Sequence, residues 1–293
     1  MGFTILTDTS CNLPQELVDE YGLAMIPLRY LLDGEEHTSY TDGKQADFKM
    51  FYEAMRSGKV VTTTLANQVE AAAVAERCAQ AGQDLLYIGF SSGLSGTYDA
   101  CARAVAEVAA RYPERTMLSV DSLAASAGQG LLITYVARLR AQGAGVEECA
   151  AWVRAHRLNI CHWFTVDDLM FLKRGGRVSA VSAVFGTALS IKPVMHVDDD
   201  GTLKVVEKVR GRRKAIAALA DHFGKSLGCM PAEEQTVYIS HGDCLQDAQE
   251  LASMLEERYG VKDVLITYVD PVIGAHSGPG TLALFFYDNV ENR

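Results

Sequence analysis

Three observations predict an α/β fold of two domains. Short β-branched and apolar runs alternate with helical segments up to about residue 156, the order expected of a mostly parallel sheet. Beyond His156 the runs become strand-rich, with two strong helices among them, which is the pattern of an α+β domain. The length, 293 residues, also exceeds the roughly 100–200 residues typical of one domain. We expect an N-terminal α/β domain over residues 1–157 and a C-terminal α+β domain over residues 158–293.

The elements follow from local chemistry. FTILTD (3–8) is a β-rich run ending in Asp-Thr-Ser. Asn12 before Pro14 reads as the cap of a helix through about Tyr21, stopped by Gly22. AMIPLRYLLDG (24–34) reads as strand with a turn at Asp33-Gly34, and residues 48–57 as a short helix. VVTTT (60–64) is β-branched and leads into a helix from about Asn67 to Ala81. DLLYIGF (84–90) is a strand, SSGLSG (91–96) a loop, and residues 97–111 a helix. TMLSVDS (116–122) is the next strand, followed by a helix over about 130–142. In the second half HWFTV, KPVMHVDD, TLKVVEKV, TVYISHG, DVLITYV and TLALFFYD read as strands, with helices over 212–227 and 245–259. Asp198 to Gly201 reads as a hairpin turn.

Composition excludes several classes. Apolar residues make up 48% and charged residues 22%, ordinary for a globular chain. A net charge of −10 argues against nucleic-acid binding, which needs a basic footprint. There is no apolar run of membrane-spanning length, and MGFTILTDTS lacks the basic and apolar parts of a secretory signal. A cytoplasmic location is therefore expected. The seven cysteines are odd in number and lack C-x-x-C spacing, which predicts reduced thiols, with neither a disulfide framework nor a zinc site. No H-x-x-x-H pair occurs, so no metal site is expected, and no cofactor.

Small polar loops follow apolar strands at Asp8-Thr9-Ser10, Ser91 to Thr97 and Asp121-Ser122. In open α/β sheets, ligands bind beyond the carboxyl ends of strands. In SSGLSGT the hydroxyls of Ser92 and Ser95 and the backbone around Gly96 open a helix, a natural anion site. A serine-capped turn explains the same residues. Thr62, Thr63 and Thr64 either cap the next helix or face that anion. His276 lies in GAHSGPG, read as a glycine-rich turn between strands, where it can donate to an anion or act as a base. Arg177 ends FLKRGGR. Arg210, Arg212, Arg213 and Lys214 gather at a helix start, an unfavourable place for cations, which hints at an anionic partner as against a solvated face. A rival reading comes from Gly89 to Gly93, which match G-x-S-x-G between strand and helix. Ser91 would be the nucleophile of a serine hydrolase, with Asp270 and His276 following in order. Against it, those two lie close together in sequence and no HGGG-type loop is visible.

Taken together, TDTSCNLP, TTTLAN, SSGLSGTY, VDS, FLKRGGRVS, IKPV, KVRGRRKA and AHSGPGTL occur in this order from about Thr4 to Phe286. The chain thereby resembles the DegV family, the fatty-acid-binding B subunits of bacterial fatty acid kinase. The resemblance implies an N-terminal α/β and a C-terminal α+β domain with the lipid between them, and a role in phospholipid metabolism. It implies that Thr63, Ser95 and His276 hold the fatty-acid carboxylate, with Thr62, Thr64, Ser92, Gly96 and Arg177 in support. It further implies that Arg210 docks a dihydroxyacetone-kinase-like fatty acid kinase, which phosphorylates the bound lipid. The protein itself would be a carrier with no catalytic residue, and with at most transient contact with a membrane surface. The family's usual Thr-Ser-Gln-Pro is Thr63-Thr64-Leu65-Ala66 here, so Thr62 or Thr64 is an alternative to Thr63. Residues 180–191 and 282–286 are candidates for the tail lining and equally for ordinary core. Burying about 14 methylenes is worth on the order of 11 kcal/mol before the costs of association, so the physics suits an enclosed acyl chain.

Overall fold

The computed structural model describes residues 2–39, 47–178, 190–228 and 230–288. In chain order the first part runs β1 (Thr4–Asp8), α1 (Gln15–Glu20), β2 (Ala24–Ile26), β3 (Leu28–Leu32), β4 (Glu35–Ser39), α2 (Phe48–Arg56) and β5 (Val61–Thr63). It continues with α3 (Gln68–Gln80), β6 (Leu85–Gly89), α4 (Thr97–Ala109), β7 (Met117–Asp121), α5 (Ala127–Ala141) and α6 (Val146–His156). The second part runs β8 (Ile160–Thr165), α7 (Met170–Arg174), β9 (Ile191–Val197), β10 (Leu203–Arg210), α8 (Arg212–Lys225) and β11 (Thr236–His241). It ends with α9 (Leu245–Tyr259), β12 (Asp263–Tyr268), α10 (Pro271–Ser277) and β13 (Leu282–Tyr287).

The first sheet has the order β2-β1-β6-β7 and is parallel throughout. The six-stranded sheet of the second part has the order β10-β9-β8-β13-β11-β12. It is mixed: β11 and β12 pair in parallel, the others antiparallel. This is the two-domain α/β architecture that the patterning predicts.

Helix α5 explains how the two sheets join. Its sequence, AGQGLLITYVARLRA, carries no charge until its last turn and is apolar or small on every side except at Gln129, the signature of a helix with no solvent face. Leu131, Leu132, Ile133 and Val136 are buried in one continuous core that includes Ile5, Leu86 and Ile88 of the first sheet. The same core includes Phe164, Met195, Tyr238 and Phe285 of the second. Helices α3 and α4 cover the outer face of the first sheet, and α8 and α9 that of the second.

Several expectations are corrected. Asn12 does not cap α1; it ends a 3₁₀ turn over Thr9–Cys11 with φ 52°, a left-handed position that asparagine tolerates better than most residues. His276 lies on helix α10 and not in a turn. The segment 146–156, unassigned from sequence, is α6. The stretch 24–39 splits: β2 joins the parallel sheet, while β3 leaves it to form a small antiparallel sheet of order β4-β3-β5. Asp33 and Gly34 both have positive φ in the β3–β4 turn, as a two-residue hairpin turn of mirror-image type requires. Most of the candidate tail-lining segment 180–191 lies outside the described residues; the other, 282–286, falls on β13.

Candidate functional site

A cavity of ≈ 110 Å³ lies where loops of the first sheet meet the second sheet and α10. One enclosed water needs roughly 10–15 Å³ by the same measure, so the space suits a substantial organic ligand. Its walls are mainly apolar, with Leu94, Phe164, Leu172, Val197, Ile273 and Phe285 among them. Thr63, Thr64, Ser95, Arg177 and His276 also line it, although they come from four separate stretches of chain.

The strand period separates Thr62 from Thr63. Thr62 pairs opposite Leu31 and is exposed, while Thr63, one residue on, pairs opposite Tyr30 and turns to the cavity. Thr63 Oγ1 lies 2.9 Å from His276 Nε2. Thr64 lines the wall too, but is exposed.

His276 is held from several directions. Asp270 caps α10, accepting hydrogen bonds from Val272 N and Ile273 N, and Pro271 supplies the first turn. Tyr52 anchors the approach by donating to the Val269 carbonyl at 2.8 Å. On the other side of the imidazole, a Cβ on Gly175 would overlap His276 Nδ1. Gly278, with φ +82°, lies so close to Phe171 that a Cβ would be 2.5 Å from its ring. Gly175 of FLKRGGR and Gly278 of AHSGPG thus serve one contact, in which α7 and the end of α10 press backbone against side chain.

Burial, and then the charge of Arg177, pull the His276 pKa down to about 4, so the imidazole is neutral at pH 7. Protonated at Nε2, a neutral imidazole donates to Thr63 Oγ1 and leaves the threonine's own proton for an anion. Arg177 Nε donates to the Leu94 carbonyl at 3.1 Å and Nη1 to the Gly175 carbonyl, which holds the guanidinium at the cavity wall. Burial lowers its pKa, yet a guanidinium stays charged. Ser95 Oγ accepts from Thr97 N at 3.2 Å and donates to Thr97 Oγ1 at 3.0 Å.

The other expected residues lie elsewhere. Ser92 is exposed, and its N–H donates to Asp121. Gly96 is the N-cap of α4, outside the cavity lining. Arg210 is exposed at the end of β10, opposite Ile191, and has no ion-pair partner among the described residues. Its neighbours are engaged: Arg212 pairs with Asp247 (2.7 Å) and Asp167 (3.5 Å), and Arg213 with Glu250 (3.3 Å). These carboxylates offset the unfavourable placement of cations at the start of α8.

The hydrolase geometry is not formed. Ser91 is fully buried, and its Oγ donates to the Gly201 carbonyl at 2.8 Å while accepting from Gly93 N at 3.2 Å. His276 Nε2 faces Thr63, and Asp270 serves as a helix cap that also accepts from Asn12. A nucleophile needs its base within hydrogen-bond reach, and Ser91 has a carbonyl there. Sequence reasoning missed Ser126, His162 and Ser277 on the cavity wall. Ser277 had a signal, being next to His276 in the glycine motif; His162, inside an ordinary strand, had none.

Fold and cavity together define a two-domain α/β protein with a ligand chamber between its sheets. Residues 2–289 match the family model described as "Uncharacterised protein, DegV family", and the chain belongs to that family. It is 39% identical over 289 residues to a DegV domain-containing protein of Clostridium perfringens, covering 99% of this chain and 98% of that one. Among solved structures, a DegV lipid-binding protein from Thermotoga maritima superposes with a TM-score of 0.86 at 27% identity, covering 98% of this chain and 99% of that one. A fatty-acid-binding DegV family protein from Thermus thermophilus gives 0.85 at 26% identity, covering 99% and 100%. DegV of Bacillus subtilis, a fatty acid binding protein, gives 0.83 at 26% identity over 99% and 100%. No helix among the described residues is long and apolar enough to cross a membrane.

Proposed function

We propose that this protein binds one long-chain fatty acid, with its tail in the apolar cavity and its carboxylate on Thr63, Ser95 and His276. The carrying observation is the Thr63–His276 hydrogen bond at the wall of a mainly apolar chamber, with Ser95 and Arg177 on the same wall. A buried carboxylate needs charge-assisted hydrogen bonds to leave water. The two hydroxyls supply them, and Arg177 adds a favourable charge. Thr64 supports the site from the cavity wall. The fatty acids bound by the solved relatives from Thermus thermophilus and Bacillus subtilis support the ligand class.

The protein forms no bond itself. A dihydroxyacetone-kinase-like fatty acid kinase phosphorylates the presented carboxylate, and the acyl phosphate then serves phospholipid metabolism. The carrier works in the cytoplasm and touches membrane surfaces transiently. Its two domains divide at residues 157 and 158. Arg210, exposed and without an ion-pair partner among the described residues, belongs to the kinase-docking face.

The test is direct. Protein purified from bacterial cells, denatured and extracted with organic solvent, should yield about one fatty acid per chain by mass spectrometry. Thr63→Ala with Ser95→Ala should abolish that yield; an empty extract from the wild type, repeated after incubation with free fatty acids, would sink the proposal. Arg210→Glu should retain the lipid and slow kinase-coupled turnover by about tenfold or more, the scale of a lost close charge pair. Unchanged turnover would remove Arg210 from the docking face.

A further inference from the structure

One polar atom of the cavity wall has no role in that account. Ser277 directly follows His276 and closes α10. It lines the cavity, is only 4% exposed, and its hydroxyl has no hydrogen-bond partner among the described residues. Apart from the exposed Thr64, the other hydroxyls on the wall are engaged. Thr63 meets His276, Ser95 meets Thr97, Ser126 meets Asn12 and Ser240, and Thr281 donates to the Gly278 carbonyl. Ser10 likewise bonds to Asp8. A buried hydroxyl without a partner is uncommon in native proteins and calls for an explanation, an absent ligand being one.

The ligand has the complementary deficit. An ionised carboxylate presents about four acceptor positions. Thr63 offers one proton, and Ser95 a second once its hydroxyl turns away from Thr97 Oγ1, so acceptor positions remain. Ser277 sits one residue from His276, about 100° around the same helix, and both residues line the cavity. The Ser277 hydroxyl itself is covered, and reaches a guest by turning about its Cα–Cβ bond.

We infer that Ser277 is a further contact of the ligand carboxylate, a third hydroxyl donor that is unpaired until the acid arrives. The inference rests on the fatty-acid reading above. It makes Ser277 a determinant of headgroup selectivity, favouring an acid over an uncharged amphiphile of the same tail, because a hydroxyl gains most from an ionised acceptor.

The experiment is isothermal titration of delipidated wild type and Ser277→Ala with oleate and, separately, with oleyl alcohol, alongside melting curves of both ligand-free proteins. The expected result is an affinity for oleate weakened about tenfold, with the affinity for oleyl alcohol within about twofold of the wild type. The ligand-free variant should melt no lower than the wild type, since the substitution removes a buried hydroxyl that had no partner. Oleate affinity that is unchanged or tighter overturns the inference. An equal loss for oleate and alcohol also overturns it, by assigning Ser277 to packing. If the wild type itself takes up no oleate, the fatty-acid reading fails and this inference with it. Uptake by the wild type with no effect of Ser277→Ala removes the inference alone.

Discussion

Ser91 and Ser95 lie four residues apart in one glycine-rich loop, yet they face different surroundings. The first half of the loop is docked. Ser91 donates to the Gly201 carbonyl, and Gly93 packs so closely on the Asp198–Thr202 turn that a Cβ would be 2.5 Å from the Asp200 carbonyl oxygen. The second half is at the chamber, where Ser95 lines the wall beside Leu94. The half that matches a catalytic motif is thus structural, and the plainer half faces the cavity. A motif of small residues records a close approach; what approaches is decided by the rest of the fold.

Three substitutions sharpen or break this contrast. The largest effect is expected from Gly93→Ala, because the added carbon meets backbone, which cannot swing aside. A loss of about 2–4 kcal/mol is expected in chemical denaturation. Wild-type stability would mean that the hairpin does not grip the loop. Next, Ser91→Ala should cost about 1–2 kcal/mol by stranding a buried carbonyl, while leaving bound lipid intact. Ser95→Ala should behave the other way, costing under about 1 kcal/mol of stability for a lost turn-capping contact while weakening fatty-acid affinity about tenfold. Melting curves and lipid titrations on both variants read this directly, and a reversed pattern would exchange the roles of the two serines. A fluorophosphonate probe should leave Ser91 unlabelled, since its oxygen already faces a carbonyl.

The smallest effect concerns pH. The unfolded imidazole titrates at about 6.5, whereas burial brings His276 in the fold down to about 4. Between these values the unfolded chain takes up a proton that the folded chain refuses. The contribution of His276 is therefore full above about pH 6.5 and is lost as pH falls towards 4. Asp270, with its carboxyl pushed up to about 6 by burial, works in the opposite sense, favouring the fold as pH falls across that window. Comparison of the wild type with His276→Gln isolates the histidine: the variant should show a shallower loss of melting temperature between pH 6.5 and 4. Identical slopes would place the imidazole in water.

Much of the fold was legible because its elements are locally consistent. DLLYIGF, TVYISHG and TLALFFYD are short β-rich runs bounded by polar or glycine positions, and Asn67 caps α3 as its chemistry suggests. The misses have local causes too. Asp270-Pro271 is a good helix start, but three glycines within seven residues of GAHSGPG hid a helix of only two turns. Asn12 has the residue type of a cap in a position that needed a left-handed turn. Which threonines face the cavity was not legible until β5 was placed beside β3, since register fixes which face each side chain takes. The close fit of Gly175 to His276 joins residues about a hundred positions apart, and no local pattern encodes it.

The chamber draws its walls from both sheets, with Leu94 and Phe90 on one side and Phe164, Val197 and Phe285 on the other. A guest seated there touches two halves of the molecule at once and acts as a rivet between them. Whatever fills the chamber must therefore raise the temperature at which the halves part, by an amount that grows with its concentration over its dissociation constant. A heating curve taken straight from a cell extract becomes a gauge of how full the chamber is in the living cell.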